Sequence, residues 1–397
     1  MTIYALNKYR LLLLLQILCT FGVYAQDTTE THKTKKWELS GYFKNMQSAQ
    51  FADVDTNWLF INLIHNREDF KYLPNEHWNF HIGLRNRIYY GESVQFLTQA
   101  PALFKSSNSF FDLQKIVARG PSYIIHTTLD RASIKYTKDK WEITTGRQRI
   151  NWGQNFVWNP NDIFNAYSYF NFDYEERPGV DAIRIKYYPT ATSTAELAYK
   201  PSNNIDSTIW AGLYRFAKGS YDYQFLAGWV NGDYVAGIGW SGVIKQAGFT
   251  GEVTGFFPQK NVGIKSTVIS ASAGLNYTFR NSLFLHTAYL YSSLGAGNIN
   301  SAQGNILFSQ VVSAKMLSLS RHSIFGEAAY QFTPLLRGNF SGIVNPSDGS
   351  YFLGPFFNYS VSDGVELLMG GQLFFGPSNS LYGGYGKFIF IRFKWSF

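Results

Sequence analysis

The stretch HWNFHIGLRNRIYY, residues 77–90, alternates apolar and polar side chains almost without a break. One set of alternate positions is apolar, interrupted only by Asn86, and consists of Trp78, Phe80, Ile82, Leu84, Ile88 and Tyr90. The other set consists of Asn79, His81, Gly83, Arg85, Arg87 and Tyr89. Successive side chains of a β-strand point to opposite faces, so the pattern predicts a strand with one apolar and one polar face. An apolar face that ends in aromatic residues is typical of a transmembrane barrel, in which it meets lipid while the polar face lines the lumen.

The same alternation recurs along most of the chain. Runs of about 9 to 14 residues can be placed at 37–46, 57–66, 77–90, 122–136, 140–150, 180–188, 193–200, 207–217, 220–231, 233–244, 247–257, 264–279, 282–292, 322–332, 335–344, 350–361, 364–375 and 386–397. They predict about 18 strands, with roughly 16 to 18 plausible, an even number as bacterial single-chain barrels require. The predicted fold class is all-β: an antiparallel, up-and-down transmembrane β-barrel with one or more loops folded into or over the lumen.

The connections between these runs support the same topology. Every second connection is short, as in TKDK, PTATS, KGS, KQ, RN, TP and SDG. The remaining connections include all the long ones, at 91–121, 151–179 and 293–321. Outer-membrane barrels have short periplasmic turns and longer outer loops, so this alternation fits a barrel. Only the segment from Glu68 to Asn75 is longer than a periplasmic turn should be.

The N-terminus has the features of an export signal. Two basic residues precede an apolar run that ends in small residues at Ala25. This predicts a signal peptide over residues 1–25, cleaved near Ala25. A polar, flexible tail over 26–36 and a single barrel domain over 37–397 follow it. The only cysteine, Cys19, leaves with the signal, so we expect no disulfide.

The composition narrows the class further. Aromatic residues make up 18% of the chain, charged residues 16%, and there are 35 glycines. No apolar run beyond the signal reaches the roughly 18 residues that a membrane-spanning helix needs. A closed β-barrel is the other structure that satisfies all its backbone hydrogen bonds in lipid. Loss of Lys8 and Arg10 with the signal lowers the net charge from +8 to +6, and the exported compartment argues against nucleic acid as a partner.

The chain ends in KFIFIRFKWSF, an alternating strand that closes on Phe397. Such an ending resembles the signal by which outer-membrane barrels are recognised by their assembly machinery. It implies two partners, outer-membrane lipid and the barrel-assembly machinery, and localisation in the outer membrane of a Gram-negative bacterium. The alternative is an ordinary amphipathic strand in a secreted β-sandwich.

Charged residues on the predicted polar faces indicate how the lumen is lined. Six basic residues face it by strand parity: Arg85, Arg87, Arg131, Lys135, Arg184 and Lys186. The long connection 151–179 carries four acids and an arginine: Asp162, Asp173, Glu175, Glu176 and Arg177. If this connection folds inward, a basic wall facing an acidic loop would set ion preference at the constriction. The alternative is that the same charges form ion pairs that anchor the loop to the wall.

The stretch GRQRINWGQNFVWNPNDIFN, residues 146–165, leaves two arginines ambiguous. Strict alternation puts Arg147 and Arg149 on the lipid face, where an arginine costs about 2–4 kcal/mol at mid-bilayer. Either both lie at the outer rim, or a bulge at Gly146 turns them into the lumen. The polar neighbours Gln148 and Asn151 favour the bulge.

The end of this stretch predicts a short helix. Asn159 before Pro160 fits a polar cap followed by proline in the first turn, so we expect a helix near 160–166. Four aromatic residues should buttress it by packing: Trp152, Phe156, Trp158 and Phe164.

The run from Gly146 to Arg184 resembles a motif of porin-like outer-membrane barrels related to the alginate-export type. The matching residues are Gly146, Arg147, Gln148, Trp152, Gly153, Asn159, Pro160, Asp162, Phe164, Asn165, Pro178, Gly179, Asp181, Ala182 and Arg184. The match covers about 40 of 397 residues. The resemblance implies a transport-type barrel whose long connection is an ordered feature.

A barrel of about 18 strands is wide enough for an aqueous channel, so the sequence predicts a channel for small hydrophilic solutes, with anions slightly favoured by the basic lumen. The alternative from another class is an occluded barrel that acts as a surface binding or structural protein. An enzyme is not expected, because the histidines are scattered and no nucleophile–base pairing or metal-ligand spacing occurs. No cofactor or metal is predicted.

Overall fold

The computed structural model describes residues 35–98, 110–173, 175–203, 207–259, 266–295 and 312–397. The predicted signal peptide and most of the predicted tail lie outside these residues. The strands are β1 (Trp37–Phe51), β2 (Leu59–Phe60), β3 (Asn62–Tyr72), β4 (Trp78–Tyr90), β5 (Gln114–Gly120), β6 (Tyr123–Lys138), β7 (Trp141–Gln148), β8 (Val180–Thr190), β9 (Ser193–Lys200), β10 (Ile209–Lys218), β11 (Tyr221–Val230), β12 (Asp233–Ile244), β13 (Ala247–Pro258), β14 (Val268–Thr278), β15 (Phe284–Ser292), β16 (His322–Thr333), β17 (Leu336–Asn345), β18 (Ser350–Ser362), β19 (Val365–Phe375) and β20 (Lys387–Ser396). One short helix, α1 (Val94–Thr98), precedes β5.

Eighteen of these strands form a closed antiparallel barrel, which confirms the predicted fold class. Neighbours in sequence pair with each other, and β1 closes the ring by pairing with β20 from Tyr42↔Ser396 to Phe51↔Lys387. Phe397 extends this seam, because its N–H donates to the Gly41 carbonyl oxygen at 3.0 Å and its carbonyl accepts from the Gly41 N–H at 2.9 Å. The two remaining strands are short: β2 pairs with the end of β1, and β5 pairs with part of β6. No helix among the described residues is long and apolar enough to cross a membrane.

The outer face of the barrel is apolar over most of its circumference. Large exposed side chains alternate with buried ones along the strands and include Ile82, Ile183, Leu197, Phe225, Ile238, Leu275, Ile324, Phe340 and Ile391. Aromatic pairs ring the end that holds Trp37, where Trp37 stacks on Tyr72 with ring centroids 3.9 Å apart and Trp78 lies 4.7 Å from Tyr136. This face is suited to contact with lipid acyl chains.

Short turns join the strands at the end of the barrel that holds Trp37 and Phe397, called the short-turn end below. Turns of two residues lie at 139–140, 191–192, 219–220, 245–246, 334–335 and 363–364. The expected long connection from Glu68 to Asn75 is not present, because β3 continues to Tyr72 and the turn is 73–77. The strand predicted at 57–66 is therefore shifted, since the ionisable residues His65, Arg67 and Asp69 form its inner face and the strand continues past Glu68.

Strand β5 fills a gap in the wall. On one side of β6, β4 pairs along its length from Tyr123 to Tyr136. On the other side, β7 pairs only with residues 132–138, because the chain leaves the wall after Gln148. The edge that β7 leaves open is taken by β5, which pairs with residues 123–128 of β6. The sequence analysis did not predict this strand.

The apolar core lies inside the barrel, between the wall and the segment that leaves it. We call residues 149–179 the inward loop. Three clusters of buried apolar side chains line the wall at its level, centred on Trp152 and Phe256, on Trp158 and Phe325, and on Phe388. A loop packed in this way is an ordered part of the fold, since closely packed interiors resist displacement.

Candidate functional site

The inward loop begins and ends at a buried ion pair. Arg147 Nε lies 2.8 Å from Asp181 Oδ1, and Arg147 Nη2 lies 2.8 Å from Asp181 Oδ2. The same guanidinium donates to the carbonyl oxygens of Leu129 at 3.1 Å and Phe111 at 2.6 Å, and Asp181 Oδ2 accepts from the Phe111 N–H at 2.9 Å. Arg147 is thus held within the wall, where it joins β7, β8 and the segment before β5.

Gly146 permits this arrangement without a bulge. Its φ is +103°, and a Cβ at this position would lie 2.2 Å from the Ala132 carbonyl oxygen. The β6–β7 register nevertheless runs without interruption through Ser133↔Gly146 and Ala132↔Arg147, so no extra residue is inserted. The predicted β-bulge is therefore wrong, because β7 has no extra residue opposite β6. The glycine conformation alone lets both Arg147 and Gln148 be buried.

The first part of the inward loop binds the wall through two carboxylates. Trp152 Nε1 donates to Glu196 on β9 at 3.0 Å. Glu252 on β13 accepts three backbone N–H groups of the loop, from Gln154, from Asn155 at 3.1 Å and from Asn161 at 2.8 Å. Glu252 is fully buried. Its two carboxyl oxygens accept three converging N–H donors, so Glu252 acts as an anchor for this part of the loop.

A turn replaces the helix predicted near 160–166. The Asp162 N–H donates to the Asn159 carbonyl oxygen at 3.1 Å, but no helical hydrogen-bond pattern continues from it. Polar side chains here bond elsewhere: Asn159 Oδ1 accepts from the Asn155 N–H at 2.9 Å, and Asn161 Nδ2 donates to the Ile238 carbonyl oxygen at 3.0 Å. These contacts compete with helix formation, as asparagine side chains commonly do. Pro160 lies buried in the turn.

Three of the four predicted packing aromatics are buried. Trp152, Trp158 and Phe164 are at most 5% exposed, and the rings of Trp152 and Phe164 meet edge to face at 5.0 Å. Phe156 does not pack as predicted, because 62% of it is exposed and it contacts only the edge of the His286 ring at 5.3 Å among the ring contacts described. Phe156 thus reaches β15 through one ring contact while most of its surface stays exposed.

The second part of the inward loop packs aromatic rings against β16 to β20. Tyr169 lies 5.1 Å from Phe325, Phe170 lies 5.1 Å from Phe374, and Phe172 stacks on Phe390 at 4.2 Å. Gln372 on β19 also donates to the Phe170 carbonyl oxygen at 2.8 Å. The wall is apolar here because the loop covers it.

The predicted acidic residues then meet basic residues of β1 and β20. Asp173 Oδ1 lies 3.5 Å from Lys44 Nζ and 3.1 Å from Arg392 Nη1. Glu175 Oε2 lies 2.9 Å from Lys394 Nζ, and its Oε1 lies 3.2 Å from Lys44 Nζ. Burial opposes ionisation of Asp173, but His65 and the charges of Lys44 and Arg392 outweigh it and hold its pKa below the ordinary value. Burial also opposes ionisation of Glu175, whose pKa is lowered by Lys44, Lys394 and Arg392.

Glu176 completes this contact with the wall. Its Oε2 accepts from the Tyr42 hydroxyl at 2.8 Å, and its Oε1 lies 4.0 Å from Arg67 Nε. Arg131 on β6 donates to the carbonyl oxygens of Glu176 at 2.7 Å and Arg177 at 2.8 Å. Of the two interpretations from the sequence, ion pairs that anchor the loop describe Asp173, Glu175 and Glu176.

The other predicted basic residues pair with groups of the wall itself. Arg184 Nη2 lies 2.6 Å from Glu196, while Lys186 and Lys135 lie 3.4 and 3.9 Å from Glu142. Arg85 Nε donates to His65 Nε2 at 3.1 Å. The remaining contacts go from Arg87 to the Tyr89 hydroxyl at 2.9 Å and to His126 Nδ1 at 2.8 Å. In these contacts, none of the five predicted basic residues pairs with an acidic residue of the inward loop: Arg85, Arg87, Lys135, Arg184 and Lys186.

Two arginines and one carboxyl meet where the inward loop returns to its start. Arg177 Nη1 lies 3.6 Å from Asp162 Oδ2 and its guanidinium lies 4.5 Å from the centre of the Tyr167 ring. Burial raises the pKa of Asp162 to about 7, and the Arg177 charge offsets this only in part. Burial and the charge of Arg177 lower the pKa of Arg149. Among the described residues, Arg149 has no hydrogen bond or ion pair, and its Nε is buried.

Sequence reasoning missed the main partners of the loop. These are Lys44, Arg67, Glu196, Glu252, Arg392 and Lys394. Alternation in the last strand already put Arg392 and Lys394 on its polar face, and the lone Glu252 in an otherwise apolar and small strand was a further signal. No local sequence pattern indicated which lumen-facing residues of the wall would contact the inward loop.

The described contacts of the inward loop follow the wall around the lumen. Over residues 152–158 they run from β9 and β11 to β13, β14, β15 and β16. At Asn161 they return to β12 and β13. Over residues 169–177 they run from β16 through β18, β19 and β20 to β1, β3 and β6. The loop thus lines the barrel over most of its circumference.

The fold is similar to that of solved outer-membrane porins. OccAB4 of Acinetobacter baumannii has a TM-score of 0.59 at 9% identity, covering 92% of this chain and 99% of that chain. OccAB3 of the same organism has a TM-score of 0.54 at 12% identity, with 91% and 99% covered. OccK8 (OprE) of Pseudomonas aeruginosa has a TM-score of 0.54 at 7% identity, with 91% and 98% covered. These identities establish the fold alone.

No protein-family model and no curated protein sequence matches the chain. The resemblance to the alginate-export type, which the motif from Gly146 to Arg184 suggested, is therefore not supported.

Proposed function

We propose that this protein is a channel in the outer membrane of a Gram-negative bacterium, which passes small hydrophilic solutes passively. The apolar outer face, the aromatic pairs at the short-turn end and the porin-like fold support a barrel that spans this membrane. Residues 1–25 would direct export and then be removed by cleavage near Ala25.

The course of the inward loop carries the proposal. Its contacts follow the wall from β9 to β20 and on to β6, a course that narrows a lumen without crossing it. Buried packing of Trp152 and Trp158 and the anchoring of Asp173 would keep the narrowed section constant in size. A fixed constriction is what a passive channel needs to discriminate among solutes.

The charges at the constriction favour anions. Arg149 and Arg177 face one another near a single carboxyl, Asp162, whose negative charge is diminished by a pKa of about 7. In a confined lumen of low dielectric constant, an excess of positive charge attracts anions and repels cations. Four other basic residues predicted to line the lumen have close carboxylate partners and should contribute less: Arg131, Lys135, Arg184 and Lys186.

A second candidate function is an occluded barrel that binds a ligand or partner at its outer loops. One observation favours it: residues of two further loops also pack on the inward loop, with Leu317, Leu381 and Tyr382 buried beside Trp158 and Phe170. If the packed loop residues extended across the lumen, they would close it.

Single-channel recording in planar bilayers distinguishes the two functions. A channel gives discrete conductance steps and, in a salt gradient, a reversal potential on the anion-selective side. An occluded barrel gives no steps even when the folded state is verified on gels. Absence of conductance from folded protein would overturn the channel proposal.

The assembly partner is part of the proposal. Phe397 pairs with Gly41 at the seam that closes the barrel, so its ring stands at the end of the last strand to be added. Recognition by the assembly machinery would act through this residue. Removing Phe397 should lower the amount of folded barrel in the membrane, whereas removal of residues 26–34 should not.

A further inference from the structure

A row of polar side chains crosses the outer face of β3, β4 and β6. Asn66, Asn86 and Thr127 are register partners on adjacent strands. Asn66 Oδ1 accepts from Asn86 Nδ2 at 3.3 Å, and Asn86 Oδ1 accepts from Thr127 Oγ1 at 2.9 Å. These side chains point outward, because the alternate residues His65 and Arg67 are buried and face the inward loop.

The polar row lies between the two ends of the apolar belt. Asn66 is six residues from Tyr72, which stacks on Trp37 at the short-turn end. At about 3.3 Å per residue and a strand tilt of roughly 40°, this separation corresponds to about 15 Å of depth. The apolar band of such barrels is about 25 Å tall, so the row lies near mid-membrane, where lipid offers no hydrogen-bond partner.

Opposite charges flank the polar row. Glu68 follows Asn66 on the same outward face of β3, one step closer to Tyr72. Lys115 on β5 is the register partner of Thr127, so it extends the row at its other end. Among the described residues, neither Glu68 nor Lys115 has a hydrogen bond or an ion pair. An ionisable group that faces lipid is costly, and such groups are usually paired.

Strands β11 and β12, six strands away around the barrel, have no such row at comparable positions. On β11 and β12 the outward residues at mid-strand are Phe225, Ala227, Ala236 and Ile238. Phe225 and Ile238 are 50% and 45% exposed, as expected for side chains in contact with acyl chains. The polar row therefore distinguishes the face formed by β3, β4, β5 and β6 from the outer face of β11 and β12.

We propose that this face is an interface with a second copy of the chain in the membrane. Asparagine amides donate and accept hydrogen bonds, so a row of amides is complementary to its own copy. In a two-fold arrangement with the axis between β4 and β6, Asn86 of each copy faces Thr127 of the other, and Glu68 of each copy lies toward Lys115 of the other. The two-fold relation thereby pairs the groups that a monomer exposes to lipid.

Cysteine cross-linking in the outer-membrane fraction tests the interface. The mature chain is expected to lack cysteine, because Cys19 is the only one and lies in the predicted signal. Full-length protein with Asn86→Cys, treated with a short bismaleimide, should give a covalent dimer of two identical chains. The matched variant Ile238→Cys on β12, away from the proposed interface, should give several-fold less. Equal yields at the two positions, or a product of Asn86→Cys with another protein, would overturn the proposal.

Charge exchange gives a second measurement that does not depend on the cysteine variants. Glu68→Lys and Lys115→Glu should each weaken dimerisation in detergent by about tenfold, which corresponds to about 1.4 kcal/mol. The double variant should restore it. Both residues face away from the lumen, so single-channel conductance should stay unchanged and report that the barrel has folded. A double variant no more dimeric than the single ones, or a wild-type protein that is monomeric at every concentration, would rule the interface out.

Discussion

Arg147 and Asp181 join the two ends of the inward loop through a bidentate ion pair, with both nitrogen–oxygen distances at 2.8 Å. Both side chains are at most 5% exposed. The pair also holds the backbone of Phe111, so one contact fixes the loop inside the barrel and the outer segment that completes the wall. Arg147 and Asp181, two residues of the motif that runs from Gly146 to Arg184, thus have a structural role.

Removing one partner of this pair should strongly destabilise the protein. Arg147→Ala leaves the Asp181 carboxylate buried without its partner, which costs about 3–5 kcal/mol. Urea unfolding in lipid vesicles should show this loss, and the double variant Arg147→Ala, Asp181→Ala should lose less than the sum of the single variants. Lys135→Ala, which breaks a partly exposed pair with Glu142 at 3.9 Å, is the control and should cost below about 1 kcal/mol. Equal effects of the two alanine variants would contradict the assignment.

Gly146→Ala should prevent the β7 end from docking. The new Cβ would approach the Ala132 carbonyl oxygen to 2.2 Å, and a φ of +103° is unfavourable for any residue with a side chain. We expect a loss above about 1 kcal/mol in folding free energy, seen as a smaller heat-modifiable folded band on gels. Gly326→Ala is the matched control, because no atom lies within 4 Å of its added Cβ. A normal folded fraction for Gly146→Ala would show that the backbone there can relax.

Glu252→Gln should loosen the first part of the inward loop. The glutamine amide would present its NH2 group to backbone N–H donors that now converge on the two carboxylate oxygens. Single-channel records should become noisier, and protease should cut near Asn155 faster than in the wild-type protein. Glu142→Gln, whose carboxylate pairs with Lys186 at 3.4 Å, should leave both measurements unchanged. An equally quiet channel in both variants would argue against an anchoring role for Glu252.

Arg149→Gln should reduce anion preference more than Arg184→Gln does. Arg149 has no ion-pair partner among the described residues, whereas Arg184 Nη2 lies 2.6 Å from Glu196. A charge that is already neutralised by a close partner contributes little to the field in the lumen. The reversal potential in a salt gradient should therefore shift toward zero in Arg149→Gln alone. A larger shift of the reversal potential in Arg184→Gln than in Arg149→Gln would place the selectivity filter on the barrel wall.

Lowering the pH from about 8 to about 6 should increase anion preference. Because the pKa of Asp162 is about 7, its carboxylate takes up a proton in this interval while Arg149 and Arg177 keep their charges. The folded state binds this proton more tightly than the unfolded chain, whose ordinary pKa is 3.8, so this group makes the fold less stable as the pH rises from about 4 to about 7. Asp162→Asn should abolish both effects. A wild-type reversal potential that is the same at both pH values would exclude Asp162 from the constriction.

The barrel was predictable because its two environments differ so sharply. Lipid outside and a polar lumen inside impose a period of two on every wall strand, and residues 77–90 show it without any knowledge of their neighbours. The strand count of 18 and the alternation of short turns and long loops followed from the same rule. The predicted end of the strand at residue 66 was wrong because the inner face of β3 is itself charged.

The inward loop was harder to predict because its residues contact wall residues that are far away in sequence. The acids at Asp173 and Glu175 could be identified, but their partners on β1 and β20 are more than 120 residues away in one direction and more than 210 in the other. The helix near 160–166 failed since the Asn159 side-chain oxygen, which was predicted to cap it, accepts from the Asn155 N–H instead. Phe156 was assigned to packing by its residue type alone.

The place of β5 in the wall makes the wall depend on the ion pair that holds the loop. β7 leaves residues 123–128 of β6 without a partner on that side, and β5 takes this edge. The segment before β5 is in turn bound by Arg147 and Asp181 through the backbone of Phe111. A barrel in which this pair is broken would be weakened beside β6, where a lateral slit could open.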